Sequence, residues 1–234
     1  GSGDVWVIDP ATFHVVAKYP TGKELQHVVP SWDLHTLYAT DDRGDHVLPF
    51  DPKTGLPGKA FPVDDPYNMY FTPDGRYAIV VAEARQNLDF RDPHTFALRH
   101  RIHVNCAGVD HIDFAATGAY LIATCEFGGR LVRIDLHTLQ VAGYLNLPGS
   151  APQDIKLDPA GRIFYVADKN HGGVWLVNAA TFRLAGFIPT GPDAHGLYPN
   201  RDARLLYVTN RGNGSITVIS FATRKILTTW RIPG

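Results

Sequence analysis

A short turn signature recurs along the chain at nearly constant spacing. It consists of Asp, Asn or Ser, any two residues, and then Thr, and successive copies of this Thr lie 42, 41, 43, 43 and 42 residues apart. The six threonines are Thr12, Thr54, Thr95, Thr138, Thr181 and Thr223. The first side chain of such a turn accepts a hydrogen bond from the backbone two residues later, and the Thr caps the same turn. A repeat of this length restricts the chain to folds built from copies of one unit, such as propellers and solenoids.

Each turn joins two runs of strand-forming residues. We predict strand pairs at 5–8 with 15–19, 46–50 with 58–63, 87–90 with 98–104, 131–134 with 141–145, 174–177 with 184–188, and 215–219 with 226–230. Between these outer pairs a second kind of hairpin occurs five times, and its second strand follows a turn such as 72–75 or 157–161. These second strands are predicted at 37–40, 78–82, 120–124, 163–167 and 205–209.

Four short strands per repeat, with no helical periodicity, are the pattern of a β-propeller blade. We therefore predict an all-β fold of four-stranded antiparallel blades, with strands a to d counted from the central channel outwards. The predicted full blades span residues 23–64, 65–105, 106–148, 149–190 and 191–234, after an outer half-blade at 1–22. A β-sandwich is disfavoured because it does not require so regular a four-strand repeat.

The clearest second strand is the run Leu206–Asn210, which reads Leu-Tyr-Val-Thr-Asn. It carries the motif after which the YVTN-repeat propellers of surface-layer-like proteins are named, and the segments 191–196 and 214–219 are also similar to that family's repeat. Close variants occur at 37–41 and 164–168, and the resemblance covers the whole chain. It implies a propeller that is commonly seven-bladed and often works outside the cytoplasm, which suggests a periplasmic or extracellular location.

The predicted strands do not make up a whole number of blades, as a closed propeller ring requires. The chain has six outer hairpins but five inner ones, and seven blades of this length would need about 294 residues. We therefore expect a piece of a longer propeller or an open ring, with a strained six-bladed closure as the alternative. Because exposed strand edges invite pairing, we expect self-association or a missing segment to complete the ring.

Two columns of polar residues are predicted to line the mouth of the channel, because strand a begins and strand b ends at the same face of a propeller. The column at the start of strand a contains His27, Asn68, His111, Asp154 and His195. The column at the end of strand b contains Asp41, Glu83, Cys125, Asp168 and Asn210. We predict that these residues form a ligand-binding surface, while no catalytic residue can be assigned.

Part of the first column has the composition of a metal site. Imidazoles and a carboxylate that converge from several blades are suitable ligands for a transition metal. The candidate ligands are His27, His111, His195 and Asp154, for copper, zinc or calcium. The structural alternative is that each imidazole hydrogen-bonds the backbone of a neighbouring blade and seals the channel, and the family resemblance supports it because His is common at this point of the YVTN repeat.

The two cysteines, Cys106 and Cys125, are both predicted near the channel mouth of the same blade. They form either a disulfide, which requires an oxidising compartment and Cα atoms within about 7 Å, or two reduced thiols. Among the other candidates, His171 is assigned to a turn and Trp175 to packing between blades.

The composition of the chain and the absence of several motifs exclude some classes of function. A formal net charge of -1 over 234 residues argues against broad attraction to nucleic acid. The sequence contains no run of about 18 apolar residues, so it predicts no membrane-spanning helix. The chain also lacks G-x-S-x-G, H-E-x-x-H and a Gly-rich phosphate loop. We therefore favour a non-enzymatic scaffold that binds a ligand, cofactor or protein partner at the channel mouth. The alternative is a metal-dependent propeller enzyme, such as a lactonase or a copper oxidoreductase.

Overall fold

The computed structural model describes residues 3–232, and nearly all of their regular structure is β-strand. The strands are β1 (Asp4–Ile8), β2 (Val15–Pro20), β3 (Leu25–Pro30), β4 (Leu37–Asp41), β5 (His46–Phe50), β6 (Phe61–Pro62), β7 (Asn68–Phe71), β8 (Ala78–Ala82), β9 (Asn87–Arg91), β10 (Leu98–His103), β11 (Val109–Phe114), β12 (Tyr120–Cys125), β13 (Arg130–Asp135), β14 (Gln140–Asn146), β15 (Pro152–Leu157), β16 (Ile163–Asp168), β17 (Gly173–Asn178), β18 (Arg183–Pro189), β19 (Ala194–Pro199), β20 (Leu205–Asn210), β21 (Ser215–Ser220) and β22 (Ile226–Arg231). A short 3-10 helix covers Arg211–Asn213. None of the described residues belongs to a helix long and apolar enough to cross a membrane.

The strands form five four-stranded antiparallel sheets and one two-stranded sheet, each built from strands consecutive in the chain. We call the four-stranded sheets blade 1 (β3–β6), blade 2 (β7–β10), blade 3 (β11–β14), blade 4 (β15–β18) and blade 5 (β19–β22). The half-blade is the β1–β2 pair. The predicted all-β propeller fold, with five full blades after an N-terminal half-blade, is therefore confirmed.

The described residues divide into two compact units. Unit 1 ends at His103 and contains the half-blade with blades 1 and 2, and unit 2 begins at Val104 and contains blades 3 to 5. Within unit 1 the first strands of blades 1 and 2 contact each other, and within unit 2 β15 contacts both β11 and β19. This is the arrangement of inner strands expected within a propeller.

The core of each unit lies between the faces of successive blades. Second strands such as β8 and β16 are buried along their whole length, whereas the outermost strand β22 is exposed throughout. In unit 1, Tyr38 and Met69 pack with Phe96 in one such layer. In unit 2, Phe164 packs with Ile122 in another. Strands buried on both faces are therefore continuous apolar runs, and the outermost strands carry the polar residues.

The recurring turn has the chemistry that the sequence predicts. Asp51 Oδ1 accepts hydrogen bonds from the backbone N–H groups of Lys53, at 2.7 Å, and Thr54, at 3.1 Å. The residue after the Thr adopts a left-handed conformation in all six copies, with positive φ. These residues are Phe13, Gly55, Phe96, Leu139, Phe182 and Arg224. The turn is therefore the same local structure repeated, and it sets the spacing of the blades.

Candidate functional site

The first strand of most blades begins with a β-bulge, where two residues oppose one residue of the second strand. In blade 3, Asp110 and His111 together oppose Thr124. The hydroxyl of Thr124 accepts a hydrogen bond from the backbone N–H of His111 at 3.2 Å. The same irregularity occurs in blades 1, 4 and 5. Because a bulge bends a strand and changes the direction of its side chains, it determines which groups stand at this end of each blade.

The observed register shifts the predicted position of His195. In blade 5 the bulge consists of His195 and Gly196. Gly196 therefore occupies the position that His111 has in blade 3, and His195 is equivalent to Asp110. Equal spacing along the sequence does not reveal this register, because the connections between blades contain either four or five residues.

A similar shift of one residue applies to Glu83. Strand β8 ends at Ala82, which pairs with Asn87 in the way that Asp41 pairs with His46 in blade 1. Ala82 therefore occupies the predicted column at the end of the second strand, and Glu83 lies in the following turn. The methyl group of Ala82 offers no polar contact at this position of the repeat.

In unit 1 the predicted column residues connect blade 1 to blade 2. Nδ1 of His27 lies 3.0 Å from the carbonyl oxygen of Tyr67, and the two rings meet edge-on with centroids 5.3 Å apart. The hydroxyl of Thr40 donates to the same carbonyl at 2.9 Å. Asn68 is buried and donates through Nδ2 to the hydroxyl of Tyr70 at 2.9 Å. His27 therefore makes the contact that the structural alternative for this column describes.

In unit 2, Asp110 and His111 form a buried pair of charged groups. Oδ1 of Asp110 accepts hydrogen bonds from the Thr124 hydroxyl and from the backbone N–H of His111. Oδ2 has no hydrogen-bond partner among the described residues. Burial raises the pKa of Asp110. Burial lowers the pKa of His111, but the carboxylates of Asp110 and Asp154 outweigh it, so that the net shift is upward.

Asp154 connects blade 4 to blade 5. Its Oδ2 accepts a hydrogen bond from the backbone N–H of Leu197 at 2.9 Å, and its Oδ1 accepts one from Nζ of Lys156 at 2.6 Å. Burial raises the pKa of Asp154, but the positive charges of Lys156 and His111 outweigh burial and lower it overall. Asp154 is therefore an ionised, fully engaged carboxylate that holds two blades together.

His195 is less buried than His111 and Asp154, the other predicted residues of its column in unit 2. Its side chain is partly buried, and burial together with the charges of Arg211 and His111 lowers its pKa. Arg211 in turn pairs with Asp193 at 3.1 Å. The imidazole of His195 is therefore neutral near pH 7.

The predicted metal ligands are not grouped as a coordination site. Among residues 3–232, no three side chains of His, Cys, Asp or Glu are placed to hold a metal ion. His27 contacts a backbone carbonyl, and Asp154 is occupied by Lys156 and Leu197. The side chains of these described residues therefore do not support a copper, zinc or calcium site, and that site stays a prediction.

Most residues of the second column hold in place the connections that lead into the blades. In unit 1 the buried carboxylate of Asp41 accepts hydrogen bonds from the backbone N–H groups of Lys23, at 2.7 Å, and Glu24, at 2.8 Å. It also accepts one from Gly44 at 3.0 Å. Asp41 therefore links the connection into blade 1 to the turn after β4, and its oxygens are used within the protein.

In unit 2, Asn210 has the same role with an amide. Its Oδ1 accepts a hydrogen bond from the Thr190 hydroxyl at 2.8 Å, and its Nδ2 donates to the hydroxyls of Ser215 and Thr217 at 3.0 Å each. A Cβ atom on Gly191 would lie 2.9 Å from the Asn210 side chain. The glycine is therefore required for the connection to pass this close.

Cys125 is not available as a thiol ligand. It forms a disulfide with Cys106, with Cα atoms 5.0 Å apart, and both residues are completely buried. The choice between a disulfide and two thiols, left open by the sequence, is thereby decided. The bond fastens the connection into blade 3 to the end of β12, which is the task of Asp41 in blade 1.

Asp168 occupies the same column in blade 4, and its carboxylate also contacts the partly exposed side chain of His171. Its Oδ2 lies 2.6 Å from Nδ1 of His171 and 2.8 Å from Nε1 of Trp175. Its Oδ1 accepts the backbone N–H of Ala151 at 2.9 Å. Burial raises the pKa of Asp168, but the hydrogen bonds from Ala151, Ser150, Trp175 and His171 outweigh it and lower the pKa overall.

His171 lines a shallow cavity of about 470 Å³ between the β16–β17 turn and the connection from β18 to β19. Because the carboxylate of Asp168 accepts from Nδ1 of His171, Nδ1 carries the proton in the neutral ring and Nε2 is the acceptor. Lys169, Asn170 and Asp193 add charged and amide groups to the wall. This cavity is the candidate functional site.

The family model for YNCE-like β-propellers matches residues 2–234 of the sequence. The chain belongs to the YNCE-like β-propeller family. No curated protein sequence is similar enough to count as a relative. The YVTN resemblance drawn from the second-strand motif is thus confirmed at the level of the family.

Solved structures with the same fold include proteins of different chemistry. Hydrazine synthase of Kuenenia stuttgartiensis is 18% identical, with a TM-score of 0.80 over 93% of this chain and 70% of that one. A functionally unknown protein of Desulfotomaculum acetoxidans is 12% identical, with a TM-score of 0.84 over 99% and 77%. A putative 6-phosphogluconolactonase of Bacteroides fragilis is 14% identical, with a TM-score of 0.75 over 98% and 77%. At these identities the likeness shows the fold alone.

In this YNCE-like propeller, the sequence does not predict that His171 and Trp175 both contact Asp168. His171 lies in the predicted turn, and Trp175 packs against the layer that contains Ile122 of the neighbouring blade, as predicted. Their shared contact to Asp168 depends on the tertiary fold. The only signal in the sequence is that the turn after β16 contains a His three residues beyond a column Asp.

Proposed function

We propose that this YNCE-like propeller is a non-enzymatic scaffold that binds a small polar ligand in the cavity beside His171. The observation that carries the proposal is the fixed imidazole of His171. Its Nδ1 is held at 2.6 Å by Asp168, and 40% of its side chain remains exposed. A preset acceptor on the wall of an open cavity binds a ligand at little entropic cost, because its orientation is already determined.

The geometry around His171 supports binding better than nucleophilic catalysis. The nearest hydroxyl is that of Ser150, whose Oγ lies 3.4 Å from Nδ1 of His171. In a serine triad the hydroxyl and the carboxylate lie on opposite ring nitrogens. Here Ser150 and Asp168 approach the same nitrogen, so the ring does not connect a nucleophile to an acid.

The binding proposal is tested by ligand-observed NMR with a library of small polar fragments. Asn170→Trp would fill the cavity, and we expect it to abolish the saturation transfer of fragments that bind there. Lys53→Trp is the matched control, since it places the same ring on an exposed turn of unit 1. If fragments bind equally to the wild type and Asn170→Trp, the site is wrong. Stoichiometric metal in dialysed protein, with turnover lost in His111→Ala, would instead favour the metal-dependent enzyme.

We also propose that the half-blade is completed by an inner hairpin from a second copy of the chain or from a segment outside this sequence. Among the described residues, β1 pairs only with β2. Trp6 and Ile8 on this strand are each 52% exposed. Light scattering that shows only a monomer at high concentration, for a chain extended by its natural flanking sequence as well as for this chain alone, would contradict the proposal of a second copy.

The disulfide supports a further proposal, that the protein works in an oxidising compartment such as the periplasm or the cell exterior. Disulfides persist there and are rare in the cytosol of most organisms. Fractionation of the source cells, followed by thiol labelling of Cys106 and Cys125, checks the location and the bond together. Reduced cysteines in a cytosolic fraction would contradict it.

A further inference from the structure

One copy of the recurring turn departs from the others at its left-handed residue. That residue is Phe, Leu or Gly in five of the six turns, and it is Arg224 in the last. The backbone is unchanged, with φ of 57° at Phe96 and 56° at Arg224. The departure therefore concerns the side chain alone.

In blade 2 the aromatic residue at this position, Phe96, packs between blades 1 and 2, where a smaller cavity of about 240 Å³ remains. Phe96 is buried, and its ring centroid lies 5.1 Å from that of Tyr38 and 4.8 Å from that of Phe61. Tyr38 lies on the second strand of blade 1, at the position that Tyr165 occupies in blade 4. The pair Tyr38 and Phe96 thus shows how blades 1 and 2 pack at the positions that Tyr165 and Arg224 occupy in unit 2.

In unit 2 the equivalent space is an open cavity of about 670 Å³ between blades 4 and 5. This volume is typical of ligand sites. Three arginines line it, namely Arg162, Arg204 and Arg224. Among residues 3–232, neither Arg162 nor Arg224 pairs with a carboxylate, and Arg204 makes only an exposed contact of 3.3 Å with Asp202.

The one carboxylate on the wall is already used by the backbone. Oδ1 of Asp158 accepts hydrogen bonds from the N–H groups of Arg162, at 2.6 Å, and Ile163, at 3.1 Å. Counting only the residues that line the cavity, three guanidinium groups and this one carboxylate leave two net positive charges, and the exposed Asp202 beyond the wall lies near Arg204 alone. The cavity therefore lacks a matching anion of its own.

A buried hydroxyl next to the cavity also has no partner. The Tyr165 side chain is completely buried, and its oxygen makes no hydrogen bond with any described residue. The ring meets Phe221, which lines the cavity, edge-on at 5.3 Å. Burial raises the pKa of this hydroxyl, while the positive charge of Arg224 acts to lower it. Buried hydroxyls without a partner are uncommon.

We propose that this cavity binds a small organic phosphate monoester. A phosphate monoester carries a charge of about -1.5 to -2 at pH 7, which matches the surplus charge of the arginines. A guanidinium group can donate two parallel hydrogen bonds to two oxygens of one phosphate. The apolar surface of Phe221, Pro159 and Ala222 contacts the organic group. This site lies at the ends of the blades opposite the His171 cavity, so the inference is independent of the proposed function.

The test is isothermal titration calorimetry of the full chain with phenyl phosphate at low ionic strength. We expect saturable binding at one site. Arg162→Ala and Arg224→Ala should each weaken it at least about tenfold, because each removes a charge-assisted contact. Arg231→Ala removes the same charge at the other end of blade 5 and should leave the affinity unchanged. No saturable heat, or equal affinity in Arg224→Ala and the wild type, would overturn the proposal.

Arg224→Phe is the sharper variant, because it restores the residue that the repeat uses. We expect it to abolish binding without lowering the midpoint of thermal unfolding, since Phe96 occupies the same backbone conformation. Unchanged binding in this variant would overturn the proposal. Benzoate that binds as tightly as phenyl phosphate would overturn the assignment of a dianion, and an oligoglutamate peptide that binds more tightly would overturn that of a small molecule.

Discussion

Asp168 and His171 are joined by a hydrogen bond of 2.6 Å between Oδ2 and Nδ1, at the point where β16 ends. Blade 1 contains a looser version, in which Nδ1 of His46 lies 3.6 Å from Oδ2 of Asp41. In both blades the carboxylate also accepts backbone N–H groups from the connection that leads into the blade. The Asp is thus a structural element of the repeat, and blade 4 differs in directing it to an exposed imidazole.

Asp168→Ala should destabilise the protein by about 2–4 kcal/mol, because it leaves the Ala151 N–H without its buried acceptor and the Trp175 indole N–H with only the Ser150 hydroxyl at 3.1 Å. Urea unfolding followed by tryptophan fluorescence measures the loss. Asp202→Ala, which removes an exposed carboxylate, should cost less than about 1 kcal/mol. Equal losses in the two variants would contradict the structural role of Asp168.

Asp168 should also make the protein sensitive to acid. Its pKa in the folded protein lies below the ordinary value of 3.8. Its contribution to stability is therefore complete above the pKa of the unfolded chain, and is lost as the pH falls below about 4 through the folded pKa. The difference in unfolding free energy between the wild type and Asp168→Ala should shrink between about pH 5 and 2. A difference that is constant over this range would show that the carboxylate charge is not what matters.

Asp154→Ala should loosen the contact between blades 4 and 5 at one identifiable atom. The backbone N–H of Leu197 donates to Oδ2 of Asp154 at 2.9 Å, and the variant removes this acceptor. We expect hydrogen exchange at Leu197 to be faster by about tenfold or more, which corresponds to the loss of a charge-assisted hydrogen bond. Exchange at the Leu157 N–H, which is held by Asp113 at 2.6 Å, should change less. Equal changes at both amides would indicate general destabilisation.

Asp110→Asn should lower the pKa of His111. The carboxylates of Asp110 and Asp154 hold this pKa above its ordinary value of 6.5 against the effect of burial. In the wild type, the stability that the imidazolium contributes is present below pH 6.5 and is lost as the pH rises through the folded pKa of His111. In Asp110→Asn the folded pKa is lower, so the stability lost over this pH range should be smaller. NMR titration of the imidazole nitrogens measures the shift. Asp202→Asn is the control, and an unchanged titration in Asp110→Asn would refute the coupling.

The blades were predictable from the sequence because their signals are local. The turn that joins each outer pair is specified by residues within five positions, as at Asp51 and Thr54, and in every copy the first side chain accepts at least one backbone hydrogen bond. Two positions in the columns were nevertheless shifted by one residue. A bulge such as His195–Gly196 changes which side chain stands at the strand end without altering the local composition.

The roles of the column residues were less predictable, because they depend on partners distant in the sequence. The carboxylate of Asp154 meets the backbone of Leu197, 43 residues later, and His27 meets the carbonyl of Tyr67, 40 residues later. A sequence shows that such polar residues recur, but their partners are determined by the neighbouring blade. Arg224 was detectable in principle, by comparing the residue after the Thr in all six turns.

Removing the disulfide should destabilise the protein by about 3 kcal/mol, the loop-closure entropy expected for cysteines separated by 19 residues. The double variant Cys106→Ala and Cys125→Ala deletes the bond and leaves two buried methyl groups in its place. Urea unfolding with and without dithiothreitol separates the effects: the reductant should weaken the wild type and leave the double variant unchanged. Because the bond occupies the position of Asp41 in blade 1, its loss should also accelerate hydrogen exchange at the Glu126 N–H, which donates to Gly108 at 2.8 Å in the fastened connection. A wild type that is insensitive to reductant under unfolding conditions would show that the bond does not form.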